Sequence, residues 1–340
     1  METFDKELIL QEYLKPSPQL LNDIVKIDGD ILILGAGGKM GPAMAKLAME
    51  AINKTNIQKK VIAVSRFSDP NVWNDLNICG ITTIRANLLN DEELNKLPDA
   101  PNVIFMAGHK FGTTGNESYT WAMNTFLPGM VAERFKSSRI VVFSSGNIYP
   151  FTSIYSGGVT ESTAASPIGE YAQSCLGRER IFQYFSQKYN IPILIYRLNY
   201  ANDVSYGVLL EIAKSVYNGS AVNLTMGNVN VIWQGDANEI AIRSLLHCSN
   251  PPAILNVTGP ETISVRWIAE EFGKLFNKTP EFYGEEAPEA LLNNAAKCFK
   301  QFGYPRVTLL QMIELIGHWL VEGGKIMDKP THFQQREGKF

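Results

Sequence analysis

The stretch from Ile31 to Met49 constrains this chain more than any other. It begins with Ile31-Leu32-Ile33-Leu34, a short apolar run with the length and composition of a buried parallel strand. Gly35-Ala36-Gly37-Gly38-Lys39-Met40-Gly41 follows, and then Pro42 to Met49, rich in helix formers with proline in the first turn. Glycines let a main chain approach a pyrophosphate closely, and the open N–H groups of a helix start attract the anion. The spacing is Gly-x-x-Gly-x-x-Gly at 35, 38 and 41. The turn predicts a dinucleotide site in which Gly35, Gly37, Gly38, Lys39, Met40 and Gly41 touch the cofactor. The alternative is a tight strand–helix turn that holds no ligand.

The rest of the chain repeats this alternation. Strands are expected at 30–34, 61–64, 81–84, 102–106, 139–143 and 192–197, with helices near 41–53, 117–136 and 169–189. Strands separated by helices at this spacing predict an α/β fold, a doubly wound parallel sheet of the Rossmann type. Ligands of such sheets sit beyond the carboxyl ends of the strands. The tips at 35–41, 65–66, 107–110, 144–149 and 197–202 therefore converge on one crevice.

Beyond residue 200 the pattern becomes shorter and mixed. Short strands at 221–224, 229–233 and 255–257, with helices near 205–218, 236–247, 264–276, 287–301 and 307–322, predict a smaller mixed α/β C-terminal lobe that holds the substrate. The expected divisions are a helical extension over 1–28, the Rossmann domain over 29–202, the lobe over 203–324 and a polar tail over 325–340 that orders only if it docks. In the extension Leu8, Ile9, Leu14, Leu20, Leu21, Ile24 and Val25 are expected to pack outside the sheet.

The end of the second strand bears on the cofactor. An NAD site usually places an acidic residue there for the ribose 2′-hydroxyl. This chain has Ser65 and Arg66, a hydroxyl and a guanidinium that suit a 2′-phosphate. NADP is read over NAD, with NAD as the alternative. Asn87 and Leu88 after the third strand and Ala107 and Gly108 after the fourth complete the cofactor side.

Bulk properties exclude several classes. A net charge of −3 gives no broad pull toward nucleic acid or anionic membrane. The four cysteines (79, 175, 248 and 298) and four histidines (109, 247, 318 and 332) lack metal-ligand spacing, so no metal is expected. The start is acidic and amphipathic, and no apolar run is long enough for a bilayer. A cytoplasmic setting with reduced thiols is expected.

Ser144-Ser145-Gly146-Asn147-Ile148-Tyr149 after the fifth strand, with Tyr171 opening the next helix, adds a second constellation. With the 35–41 glycines, Ala107-Gly108, Asn124, Glu179, Arg197 and Asp236, it resembles the extended short-chain dehydrogenase/reductases, the NAD-dependent epimerase/dehydratase group, over roughly residues 29–322. The resemblance implies hydride transfer between a nicotinamide cofactor and a sugar, sugar acid or related small hydroxylated substrate. It makes Tyr171 the group that exchanges a proton with a substrate hydroxyl and Ser145 the residue that orients the substrate oxygen. It adds Ser144 and Asn124 to the cofactor side and places His109, Lys110, Asn147, Tyr149 and Asn199 toward substrate. A homodimer through the helices near 117–136 and 169–189 is implied by the same resemblance.

The chain departs from that pattern at one catalytic position. The family's Tyr-x-x-x-Lys pair reads Tyr171-Ala172-Gln173-Ser174-Cys175, so cysteine stands where a lysine would depress the tyrosine pKa. An unperturbed phenol titrates near ~10, so a cation is needed to make it a base at neutral pH. Three readings are open. Another cation substitutes, with Arg178 one turn beyond Cys175 and Lys110 after the fourth strand as candidates; Tyr171 acts as a neutral donor; or the site binds nucleotide without catalysis. The last makes the chain a non-catalytic NAD(P)-binding regulator. In the lobe, valine occupies the position where many relatives hold a nucleotide-sugar diphosphate with arginine, with Arg243 and Arg266 as the remaining candidates. That pattern favours a free sugar, a sugar acid or another small polyol.

Overall fold

The structure is a computed structural model, and it describes residues 13–110, 112–327 and 329–339. Seven parallel strands make the central sheet: β1 Ile31–Leu34, β2 Val61–Ser65, β3 Thr82–Arg85, β4 Asn102–Phe105, β5 Arg139–Ser145, β6 Ile193–Leu198 and β7 Ala253–Val257. They lie in the order β3-β2-β1-β4-β5-β6-β7. This is the doubly wound Rossmann arrangement read from the sequence. Leu34 pairs in register with Val64 on one side and Phe105 on the other. The strand order therefore reverses between β1 and β4, and that reversal opens the crevice above their carboxyl ends.

The alternation of side chains explains why β1 reads as unbroken apolar sequence. Ile31 and Ile33 enter the core under the Gly41–Thr55 helix, while Leu32 and Leu34 enter the core on the opposite face. A strand with helices on both faces has no solvent side to advertise.

The sequence does not reveal β7 as part of this sheet. Its pattern places residues 255–257 among the lobe's elements, but Ala253–Val257 pairs in parallel with Leu194–Leu198. The periodicity there is that of any short strand, and only the chain's return path from the lobe assigns it to the sheet edge.

The helix expected over 117–136 is interrupted. Glu117–Trp121 is α-helical, Ala122–Phe126 is a π-helical turn, and Leu127–Arg134 resumes the α-helix. The Gly169–Tyr189 helix matches its predicted bounds. Before β1, Ser17 caps the Pro18–Ile24 helix, whose Leu20 and Ile24 are buried. Leu14 and Val25 are exposed instead of packed. Leu8 and Ile9 lie outside the described residues.

A second core is built by the helices Val208–Tyr217, Val265–Phe276 and Leu309–Val321 with short strands between them. The helix expected near 287–301 is confined to Ala296–Phe302, because Glu289–Ala290 pairs antiparallel with Thr152–Ser153. Among the described residues no helix is long and apolar enough to cross a membrane.

Candidate active site

The glycine turn is shaped by the strands around it. Gly35 has a φ of +93°, and a Cβ there would come within 2.6 Å of the Ala107 nitrogen at the end of β4. A Cβ at Gly41 would meet the Ala36 carbonyl oxygen at 2.4 Å. Both positions demand glycine on steric grounds alone. Gly38 differs, since a Cβ there would meet only the Gly35 carbonyl oxygen, at 3.4 Å. The missing side chain at Gly38 leaves room for a ligand rather than for protein. The Gly41–Thr55 helix that follows has no side-chain cap at its start. This turn, open at Gly38 and uncapped, fits the diphosphate of a dinucleotide.

A cavity of about 590 Å³ lies over this turn and the ends of β1, β4, β5 and β6. Thirteen of the residues singled out from the sequence line it: Gly35, Gly38, Lys39, Met40, Gly108, His109, Lys110, Ser144, Ser145, Asn147, Tyr171, Arg178 and Asn199. Ser65 and Arg66 stand at the end of β2 beside the turn, where a Cβ on Gly37 would meet the Ser65 Oγ at 2.5 Å. Arg66 is exposed, and its charge together with burial lowers the His109 pKa, burial being the larger cause. Asn87 is exposed and Leu88 buried beyond β3, away from the cavity lining.

Asn124 organises the floor. The π-helical turn carries it inward, where its Oδ1 accepts from the His109 backbone N–H at 2.8 Å and its Nδ2 donates to the His109 carbonyl at 2.8 Å and to Ser174 Oγ at 2.9 Å. Arg178 donates to the same Oδ1 at 2.7 Å and to the Phe143 carbonyl at 2.7 Å. A Cβ at Gly108 would strike the Arg178 guanidinium at 2.5 Å, so the Ala107-Gly108 tip is shaped by that arginine.

Tyr171 and Ser145 both line the cavity wall. Ser145 Oγ accepts from the Asn147 backbone N–H at 3.1 Å. Burial pushes the Tyr171 hydroxyl well above the usual phenol range; the nearby Cys175 adds to that, and the Arg178 charge only partly offsets it. Cys175 is fully buried beside Ile148 and Tyr149, outside the cavity lining, and burial raises its thiol as well. It is held in a packed helix and is not presented to a ligand. Lys110 places its Nζ 5.5 Å from the Tyr171 ring centroid, and burial lowers its pKa to about 8.

Tyr149 is turned away from the cavity. Its hydroxyl donates to Asn256 Oδ1 at 2.9 Å and accepts from Arg197, which forms a buried ion pair with Glu179 at 2.7 Å. Ser144 Oγ donates to the same glutamate at 2.6 Å. The β5 segment is thus braced from beneath by a buried polar chain running from Ser144 to Asn256.

The cavity also takes residues that the sequence does not single out as site residues. Tyr200 and Tyr206 come from the lobe side, and Lys329 and Thr331 from the C-terminal segment. Lys39 Nζ sits 3.4 Å over the Tyr206 ring centroid, and burial with the neighbouring Lys110 and Lys329 lowers its pKa to about 7. Among the described residues lining the cavity there are four lysine and arginine side chains (Lys39, Lys110, Arg178 and Lys329) and no carboxylate. No local pattern near 329 announces this; the spacing of Tyr171, Cys175 and Arg178 along one helix face is the signal that exposes Arg178. Among the described residues no group of three or more His, Cys, Asp or Glu could hold a metal ion.

Fold and cavity together define a doubly wound α/β protein of the dinucleotide-binding type, with a lobe over the crevice. The family profile described as NAD dependent epimerase/dehydratase matches residues 31–225, more than half of the chain, and the chain belongs to that family. Solved structures agree on the fold at low identity. A UDP-glucuronic acid 4-epimerase from Bacillus cereus, in complex with UDP-glucuronic acid and NAD, is 17% identical with a TM-score of 0.71, covering 86% of this chain and 99% of that one. A Thermus thermophilus UDP-glucose 4-epimerase in complex with NAD gives 17%, 0.70, 86% and 99% in the same order. The epimerase Mth375 from Methanothermobacter thermautotrophicus gives 17%, 0.72, 90% and 96%. No curated protein matches the chain in sequence.

Proposed function

We propose that this protein is an NAD(P)-dependent oxidoreductase or epimerase that transfers a hydride to or from a sugar, sugar acid or related small hydroxylated substrate. The observation that carries the reading is that Tyr171 and Ser145 line the same cavity as Gly35, Gly38, Lys39 and Met40 of the glycine turn. A bound nicotinamide supplies the hydride donor or acceptor. Gly35, Gly38 and Lys39 hold its diphosphate, and Ser65 with Arg66 supports NADP over NAD through the 2′-phosphate.

Tyr171 acts as a neutral hydroxyl. Its raised pKa disfavours the phenolate, so it donates a proton to a carbonyl oxygen more readily than it withdraws one from an alcohol. Ser145 holds the substrate oxygen beside it. Arg178 supplies part of the positive charge that position 175 lacks, and Lys110 stands 5.5 Å from the Tyr171 ring centroid.

The lobe favours a substrate without a nucleotide. The neighbours from Bacillus cereus and Thermus thermophilus are named for UDP-sugars, but Val229 and Val231 here are buried in the lobe core. Arg243 is paired with Asp23 and Glu239, and Arg266 with Glu286. None of these side chains lines the cavity. A cytoplasmic homodimer completes the reading, supported by Phe126 and Tyr184, which leave large apolar side chains exposed on the helical elements after β4 and β5.

The test follows reduced-nicotinamide absorbance during incubation with a panel of sugars and sugar acids. Tyr171→Phe is expected to lower turnover by about 100-fold or more while dinucleotide affinity stays within about twofold. Equal loss of both would make Tyr171 structural. Cys175→Lys is expected to raise the reductase rate. No turnover in either protein, with intact dinucleotide binding, would favour the non-catalytic regulator.

A further inference from the structure

The C-terminal segment crosses the mouth of the crevice and is held along its length. The Met327 N–H donates to the Ser205 carbonyl at 2.8 Å, and Thr331 Oγ1 donates to Glu211 Oε2 at 2.9 Å. Phe333 is buried in the lobe core, and its carbonyl accepts from the Tyr200 hydroxyl at 3.4 Å. Arg336 lies 4.2 Å from the Phe151 ring centroid and donates to the Glu289 carbonyl at 2.8 Å. Gly338 closes against the start of the helix that carries Tyr171: its φ is +71°, and a Cβ there would lie 2.3 Å from the Ile168 carbonyl oxygen. The segment is a strap laid from the lobe to that helix, and a polar stretch with this many partners is ordered wall.

The strap divides the crevice. On one side Lys329 and Thr331 line the cavity of about 590 Å³ over the glycine turn. On the other, His332, Gln335, Arg336 and Gly338 face Phe151, Ile168 and Leu291 across a gap of about 30 Å³. Asn147 and Tyr200 line both spaces, so the gap continues the cavity beyond them. A space of that size holds a water or two and no part of a ligand. The strap therefore fills the channel between the lobe and the Tyr171 helix.

We propose that the strap is a specificity element: anchored by Arg336 and Gly338, it ends the substrate channel just past Asn147 and Tyr200, so that a monosaccharide is admitted and a nucleotide-linked sugar is shut out. The proposal rests on the nicotinamide reading above and adds a length limit to its substrate. The dinucleotide takes the end of the cavity at Gly35, Gly38 and Met40. A substrate that reacts at Tyr171 and Ser145 leads its remaining atoms away from that end, past Asn147 and Tyr200, toward the strap. A single sugar ring stops short of it, whereas a nucleoside diphosphate attached to that ring enters the space the strap fills. Occupied space discriminates through the contacts that the longer ligand must break to enter.

Calorimetry on the full chain in saturating NADP, with UDP-glucose and glucose as probes, tests this beside hydrogen exchange of residues 333–338. Arg336→Ala combined with Gly338→Val removes the contacts with Phe151 and Glu289 and drives the strap's end off Ile168. Exchange of the strap is expected to rise about tenfold or more. UDP-glucose affinity is expected to rise about tenfold or more, with glucose and NADP affinities within about twofold and the thermal midpoint retained. Arg336→Ala alone, at a half-buried side chain, carries the test if the double variant does not fold. UDP-glucose binding no tighter to a chain whose exchange shows the strap loosened overturns the length limit. An equal gain for glucose makes the strap a general gate and overturns it too. Exchange unchanged by the substitutions removes Arg336 and Gly338 as anchors and overturns the proposal as stated. If the unsubstituted protein binds no dinucleotide, the nicotinamide reading fails, and the same titrations without NADP still decide what the strap excludes.

Discussion

Cys175 shows how much a single side chain changes the chemistry of a family frame. It packs with Ile148, Tyr149 and Val159 outside the cavity lining, and a thiol offers Tyr171 no positive charge. The charge that partly compensates at Tyr171 is that of Arg178; Lys110, 5.5 Å from the Tyr171 ring centroid, has a pKa of about 8 that makes its charge pH-dependent where an ordinary lysine's is not. Lys39, at about 7, titrates below it. Lys39 faces Lys110, Lys329, Glu211 and the Tyr206 ring, while Lys110 faces Glu211, Cys175 and Tyr171. Both are depressed, so raising the pH removes their protons early and takes positive charge out of the cavity. NADP affinity is therefore expected to fall about tenfold as pH rises from about 6 to about 9, one lost charge contact being worth ~1.4 kcal/mol. Bound anion raises both pKa values, which moves the fall toward higher pH without changing its sign. Calorimetric affinities across that range check it, and a flat profile would remove Lys39 from the dinucleotide site.

At the scale of the element, the strand–turn–helix at 31–55 separates folding from binding within one loop. A side chain at Gly41 collides with the Ala36 main chain, whereas a Cβ at Gly38 meets only the Gly35 carbonyl oxygen, at 3.4 Å. Gly41→Val is expected to lower unfolding stability by about 1–3 kcal/mol, because backbone must shift to admit it. Gly38→Val is expected to leave the denaturation midpoint nearly unchanged while weakening NADP about tenfold or more, since its side chain takes ligand space. Denaturant titration beside calorimetry separates the two. This turn is legible in the sequence because its signals are local: an apolar strand, glycine spacing and a proline-started helix. The π-helical turn at Ala122–Phe126 is not, because helical periodicity over 117–136 survives one wide turn. That turn nonetheless carries Asn124 to the centre of the hydrogen bonds beneath the cavity.

For the whole molecule, the exposed apolar side chains on the helical elements after β4 and β5 bear on assembly. Phe126 is 64% exposed and Tyr184 57%. Sedimentation of the unmodified chain is expected to give a dimer, and Phe126→Asp a monomer with its thermal midpoint retained; a monomeric parent would refute that assembly. The sequence alone determined the alternating strands and helices, the phosphate-type turn, and the set of strand tips that had to meet, because periodicity and turn sterics act over a few residues. The tertiary structure alone decided that β7 joins the sheet, that Tyr149 faces Asn256 instead of the cavity, and that Lys329 and Thr331 belong to the site. Those outcomes depend on contacts such as Thr331 with Glu211, 120 residues apart, whose pairing is chosen by which surfaces the folded lobe leaves open and not by any neighbouring residue.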